Sequence, residues 1–238
     1  MAKLVALDSE YHRGLLIDTG SIEQQGAALR MVPVMPGEFL KLAIDYPIAL
    51  TKNAETGQFV CVALFGFAEG ENLYWNDGAW QSLYTPLNIM RQPFFVGTDE
   101  NGQPLVCIDE DSPCIGQSGE ALFEADGSGT AYLIKMQGIL GELLEGERQG
   151  AELVQRLQEL QLIVPMRLEV TFASGDSQQM EGLYTVDEEK LQNLDGDTLR
   201  QLSGDGQLGH IYTMLTSLGH LYALIERRNA RDAASAAA

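Results

Sequence analysis

Asp109, Glu110 and Asp111 open a stretch, DEDSPCIGQSGE, that closes on Glu120. A helix-loop-helix calcium site takes oxygen ligands at loop positions 1, 3, 5, 7 and 9 and a bidentate Glu at 12. Asp109, Asp111, Gln117 and Glu120 meet positions 1, 3, 9 and 12. Pro113 at position 5 has no side-chain oxygen, and Cys114 stands at position 6, where the sharp turn needs glycine. The preceding PLVCI reads as a strand rather than an entering helix. The expectation is a solvated acidic turn with no structural ion.

Histidine offers little more. The chain has three, His12, His210 and His220. The latter two are ten residues apart on one helical pattern, which separates them by roughly 15 Å along the axis and excludes a shared metal ion. A metal site would have to join His12 to one of them through the fold. The three cysteines, Cys61, Cys107 and Cys114, form no C-x-x-C pair, so neither a disulfide framework nor a zinc knuckle is indicated. Cys61 and Cys107 lie in strand-like runs as small core residues, and Cys114, beside Pro113, is the candidate exposed thiol. No phosphate-binding glycine loop, zinc-protease motif or nucleophile elbow occurs.

The richest chemistry is gathered in AEGENLYWNDGAWQSLYTPLNIMRQPFF. Glu71, Asn72, Trp75, Trp80, Tyr84, Arg91 and Phe94, with Asp109 further on, are the candidate ligand-binding residues. Aromatic bodies give a recognition surface at low entropic cost, and the Arg91 fork grips carboxylates or peptide carbonyls. The competing structural role is that the aromatics build a core and Arg91 pairs with a nearby acid such as Glu71.

These residues need a scaffold, and the pattern supplies an α+β one. Residues 1–130 read as a β-rich part built of antiparallel hairpins, and residues 131–228 as a mainly helical part packed with it in a single domain. Hairpins are expected across Lys52–Gly57, at Asp77-Gly78, at Asn101-Gly102 and at Ser174–Asp176. The two-residue turn at Asp77-Gly78 would make Trp75 and Trp80 cross-strand neighbours. TPLNIMRQP reads as a short helix stopped by Pro93. AYLIKMQGILGELLEGERQGAELVQRLQELQLI has helical apolar spacing, with Leu153, Leu157 and Leu160 on one face. Gly141, Gly146 and Gly150 interrupt it, so two helices or one broken helix are expected. Short helices begun by acids follow in VDEEKLQNL and DTLRQL.

HIYTMLTSLGHLYALIERR reads as one helix. Ile211, Met214, Leu215, Leu218, Tyr222 and Ile225 share one face, and His210, Thr213, Ser217 and His220 form a polar seam beside it. Residues 229–238 lack apolar periodicity and read as a disordered tail.

Composition narrows the function. With 15 Lys+Arg against 34 Asp+Glu the net charge is −19, which disfavours nucleic acid as a partner. No apolar run reaches the roughly 20 residues of a membrane-spanning helix, so no membrane insertion is expected. The opening MAKLVALDSEYHRG lacks the apolar segment of a secretory signal, and the expected location is the cytoplasm.

YPIALTKNAETGQFVCVALFGFAEGENLYWNDGAWQSLYTP, followed by MRQPFFVG, VCIDEDS and GEALFEADG, resembles the SapC family of bacterial proteins, named after a gene linked to surface arrays. The likeness runs from Tyr46 to Leu224 and includes Gly66, Gly70–Leu73, Trp80, Tyr84–Pro86, Arg91, Pro93-Phe94, Ile108-Asp109 and Gly119-Glu120. The resemblance carries no agreed activity or catalytic residue. It implies gene neighbourhoods with TonB-dependent receptors, flavin-dependent tryptophan halogenases and cupin-like oxygenases. The expectation is a soluble, non-catalytic accessory protein without cofactor that binds a peptide or protein partner. The alternatives are a metal-dependent oxygenase-like enzyme using His12 with His210 or His220, and a structural surface-layer component.

Overall fold

The computed structural model describes residues 3–237 of the 238-residue chain. In chain order its strands are β1 (Leu4–Ala6), β2 (Leu16–Ile17), β3 (Met31–Pro33), β4 (Ile48–Lys52), β5 (Phe59–Leu64), β6 (Trp75–Asn76) and β7 (Ala79–Trp80). They continue as β8 (Phe94–Thr98), β9 (Pro104–Asp109), β10 (Ile115–Gly116), β11 (Glu120–Ala121), β12 (Ile163–Thr171) and β13 (Ser177–Val186). The α-helices are α1 (Phe39–Leu42), α2 (Leu87–Met90), α3 (Ala131–Glu159), α4 (Glu188–Gln192), α5 (Gly196–Gly204), α6 (Gln207–Ser217) and α7 (His220–Ala237). The class is α+β, with antiparallel sheets and helices concentrated toward the C-terminus. The chain divides into two compact units, each assembled from separated stretches.

The first unit joins the chain up to Gly26 with Leu87–Gly146. Its main sheet has the order β1-β9-β8, and a small sheet has the order β10-β2-β11. Hairpin β8-β9 turns at Asn101-Gly102, as the dipeptide indicates, with Asp99 accepting the amides of Asn101 and Gln103. The core gathers Ile17, Phe94, Ile108, Leu122, Leu133 and Met136. Cys114 belongs to that core, which corrects the expectation of an exposed thiol. The reason is local: β10 pairs with β2, the Cys114 carbonyl accepts the Asp18 amide at 2.8 Å, and the side chain is thereby turned inward.

The second unit joins Ala27–Pro86 with Glu147 onward. Its antiparallel sheet runs β12-β13-β4-β5-β3. The middle strands β4 and β5 are buried almost continuously, through Ile48, Ala49 and Leu50 and through Val62, Ala63 and Leu64. The edge hairpin β12-β13 turns where Ser174–Asp176 indicates. Hairpin β6-β7 also forms as read: Asp77 and Gly78 have φ of 50° and 77°, and Trp75 faces Trp80. Asp187 caps α4, and Asp195 caps α5 by accepting the amides of Asp197 and Thr198.

Three helical expectations are corrected. Helix α3 is a single unbroken helix of 29 residues despite its glycines. An interior glycine costs about 1 kcal/mol but does not force a break, and Leu133, Met136, Leu140, Leu153 and Leu157 bury along it. The C-terminal helix, by contrast, divides at Leu218-Gly219. The amides of Leu218, Gly219, Leu221 and Tyr222 bond three residues back rather than four, which tightens the winding and moves Tyr222 off the buried face into solvent. Residues 229–237, read as a disordered tail, continue α7 instead. Alanine favours helix, and polar contacts from Asn229 and Arg231 substitute for the missing apolar stripe. Ala238 lies outside the described residues.

Candidate functional site

The candidate residues fall in both units, and each group is described within its own. In the second unit the segment Gly66–Tyr84 folds over an aromatic nucleus. Tyr46 and Tyr74 lie 4.5 Å apart between centroids, and Phe65 meets Trp80 edge-on at 5.3 Å. Trp80 Nε1 donates to Tyr46 Oη at 2.7 Å, and Tyr46 Oη donates to the Tyr84 carbonyl at 2.7 Å. Tyr74 Oη donates to the Asp45 carbonyl at 2.6 Å. Burial pushes the Tyr46 phenol up to about 12 and raises Tyr74 as well, so both stay protonated donors near neutrality. Trp80 is therefore a core residue. Trp75 and Tyr84 are half-buried.

Glu71 and Asn72 shape the turn that leads into this nucleus. Asn72, buried, accepts the Tyr74 amide on Oδ1 at 2.8 Å. Glu71 Oε2 accepts the amides of Phe67 at 2.7 Å and Ala68 at 3.3 Å. Its other oxygen takes Arg228 of α7 at 2.8 Å. A Cβ on Gly66 would stand 2.5 Å from the Glu71 carbonyl oxygen, so only glycine permits this close approach. The cation paired with Glu71 is thus Arg228, not Arg91, the partner that the competing structural role would give it. No apolar periodicity marks Arg228, and its neighbours Arg227 and Arg231 also reach the segment. The only signal in the sequence was the concentration of three arginines in ERRNAR. Tyr84 Oη donates to the buried Glu38 carboxylate at 3.0 Å, with Lys41 5.4 Å above the ring.

In the first unit Arg91 donates from Nε to Asn88 Oδ1 at 2.9 Å and from a terminal nitrogen to the Phe94 carbonyl at 2.7 Å. Its guanidinium lies 4.1 Å over the Phe95 ring. Phe94 is fully buried in that unit's core. Asp109 Oδ1 accepts the amides of Lys3 at 2.8 Å and Asp111 at 3.2 Å, the work of a turn-forming carboxylate. Beside it, the Lys3 ammonium at 2.6 Å holds the Glu110 carboxyl below its usual range.

The remaining reactive types are occupied in place. His12, buried, accepts the Asp8 amide on Nδ1 at 2.9 Å, and its Nε2 lies 3.4 Å from Glu110. His220 Nε2 meets the Ala43 carbonyl at 2.8 Å, and His210 stands edge-on to Phe39. Ser217 of the expected polar seam is fully buried, accepting the Ile48 amide and donating to the Met214 carbonyl. Burial pushes the Cys61 thiol up to about 12 and raises Cys107 and Cys114, which makes poor nucleophiles of them. Among the described residues no three His, Cys, Asp or Glu side chains are grouped to hold a metal ion, and no helix is long and apolar enough to cross a membrane.

No curated protein and no solved structure matches the chain. A family model described as SapC matches residues 7–224, and on that span the chain belongs to the SapC family.

Proposed function

We propose that this chain is a soluble, non-catalytic accessory protein of the cytoplasm that binds a protein partner, beside TonB-dependent receptor, halogenase or oxygenase systems of the kind the family resemblance implies. One observation carries the reading: four large apolar side chains stand exposed on and just after α1, on the loop after β7 and on α7. Leu40 is 78% exposed, Ile44 55%, Leu83 86% and Tyr222 78%. Leu40 lies in α1, and Ile44 lies two residues beyond its end. The Leu83 amide is bound to Asp45 at 3.1 Å, and His220, two residues before Tyr222, is bound to the Ala43 carbonyl. Those ties bring the segments that carry Leu83 and Tyr222 to the chain at Ala43–Asp45.

Burying a large apolar side chain stabilises a complex by about 1.5–3 kcal/mol. At a net charge of −19 the chain favours a partner whose apolar face is rimmed by basic residues. Trp75 and Tyr84 remain candidate contact residues, while Trp80 and Phe94 act through the scaffold. The test is capture of native partners by the wild-type chain and by a Leu40→Asp/Leu83→Asp variant. The reading expects a partner captured by the first and lost by the second with the fold intact. Equal capture by both would remove these side chains from the account, and recovery of the chain outside the cytosol would remove the location.

A further inference from the structure

Helix α7 carries Leu224, Arg227, Arg228 and Arg231 at i, i+3, i+4 and i+7, the stripe that a docked helix ordinarily fills with apolar residues. Among its described residues only Leu224 is buried. Guanidinium groups make the seat instead. Arg227 lies 4.5 Å over the Tyr74 ring and donates to the Gln81 carbonyl at 3.3 Å. Arg228 binds Glu71 and lies 4.8 Å over Phe172. Arg231 donates to the carbonyls of Asn72 at 2.6 Å and Trp75 at 3.1 Å. The receiving surface therefore offers a carboxylate, three carbonyls and two ring faces. Every one of these accepts a cation, and a planar, five-donor fork uses them better than an ammonium does.

We propose that segment 71–81 with Phe172 is a docking seat for an arginine-bearing helix of a partner protein, and that α7 beyond Leu224 is its internal occupant, a strap the partner displaces. The occupant seen in place defines the ligand chemistry. A helix held by polar contacts and one buried leucine opens at lower cost than α6, which buries Ile211 and Met214 in the core. The net charge of −19 draws a basic segment toward the molecule. This seat uses other residues than Leu40, Ile44, Leu83 and Tyr222, and either proposal can hold without the other.

The probe is a fluorescent peptide with the sequence His220–Ala237, and the receptors are the full chain and its Arg228→Ala/Arg231→Ala variant, in which every acceptor of the seat is intact. Removing charge-assisted bonds should speed amide exchange over residues 226–237 by about tenfold or more. The variant should then bind the peptide at least about tenfold more tightly than wild type. That affinity should fall as salt rises, and should fall again when the peptide's three arginines are replaced by lysines. If the double variant does not fold, Arg231→Ala alone, which keeps the Glu71–Arg228 pair, is measured in the same way. Unchanged exchange over 226–237 would mean that α7 is no strap. Faster exchange without tighter peptide binding would mean that the vacated surface is no seat. All components are purified, so the outcome does not depend on whether Leu40 and Leu83 capture a partner.

Discussion

Replacing Gly66 by alanine tests whether the turn over the aromatic nucleus is held as described. The added Cβ would lie 2.5 Å from the Glu71 carbonyl oxygen, 2.9 Å from its Cγ and 3.0 Å from Oε2. The nearest of these is backbone, so the side chain alone cannot relieve the contact, and the turn between Phe67 and Glu71 must move. Movement breaks or lengthens the two amide bonds to Glu71 Oε2 and disturbs the Arg228 pair. Each hydrogen bond to a charged group contributes about 1.5–3 kcal/mol, and losing one fully and weakening another amounts to about 2–4 kcal/mol. Urea unfolding followed by tryptophan fluorescence reads this directly, since Trp80 sits in the nucleus. Gly138→Ala is the opposite control. It adds a Cβ to open space inside α3 and should stabilise by about 0.5–1 kcal/mol. A loss below about 1 kcal/mol for Gly66→Ala would refute the close approach as a constraint.

Ser217→Ala leaves the buried Ile48 amide without its acceptor at 2.9 Å and should cost about 1–3 kcal/mol in the same unfolding assay. Arg91→Lys should cost about 1–3 kcal/mol, because a lysine cannot bond Asn88 and the Phe94 carbonyl while stacking on Phe95; an unchanged midpoint would show these contacts to be idle. Glu110 has a folded pKa below its ordinary 4.5 because Lys3 binds the carboxylate. The stability it contributes is present above 4.5 and lost as pH falls through the depressed folded value. In Lys3→Ala the Glu110 carboxyl should titrate closer to 4.5 by carbon-detected NMR, and an unmoved titration would rule out the pair as the cause.

Turn chemistry was the most readable layer of this fold. Asp77-Gly78 and Asn101-Gly102 permit positive φ, and both hairpins close where those dipeptides stand. Helix continuity was less readable, because glycine alters the helix free energy by about 1 kcal/mol while the burial that outweighs it is tertiary. Gly146 lies inside an unbroken helix, yet the chain divides at Leu218-Gly219, where Ser217 is committed to β4. Nothing local separates those two glycines. The candidate residues behaved likewise: residue type singled out Trp80 and Phe94, but only packing shows that they anchor the interior.

The helix α7 stripe shows why polar docking escapes pattern reading. Reading a helix by its periodicity assumes that the face turned to the protein is the apolar one, and ERRNAR places its arginines on that face. The surface that receives them is a row of backbone carbonyls, which have no identity in the sequence at all. The acid that fixes the row, Glu71, stands 157 residues before Arg228. The same arrangement explains why a chain with net charge −19 places three of its 15 basic residues on one short face. Unmatched, they would be poorly accounted for on so acidic a protein. Seated against Glu71 and the carbonyls of Asn72, Trp75 and Gln81, they neutralise an acceptor-rich surface that would otherwise be desolvated without donors. Removing them one at a time should therefore loosen α7 before it loosens the sheet, and the order of those two losses by amide exchange separates a strap from a core helix.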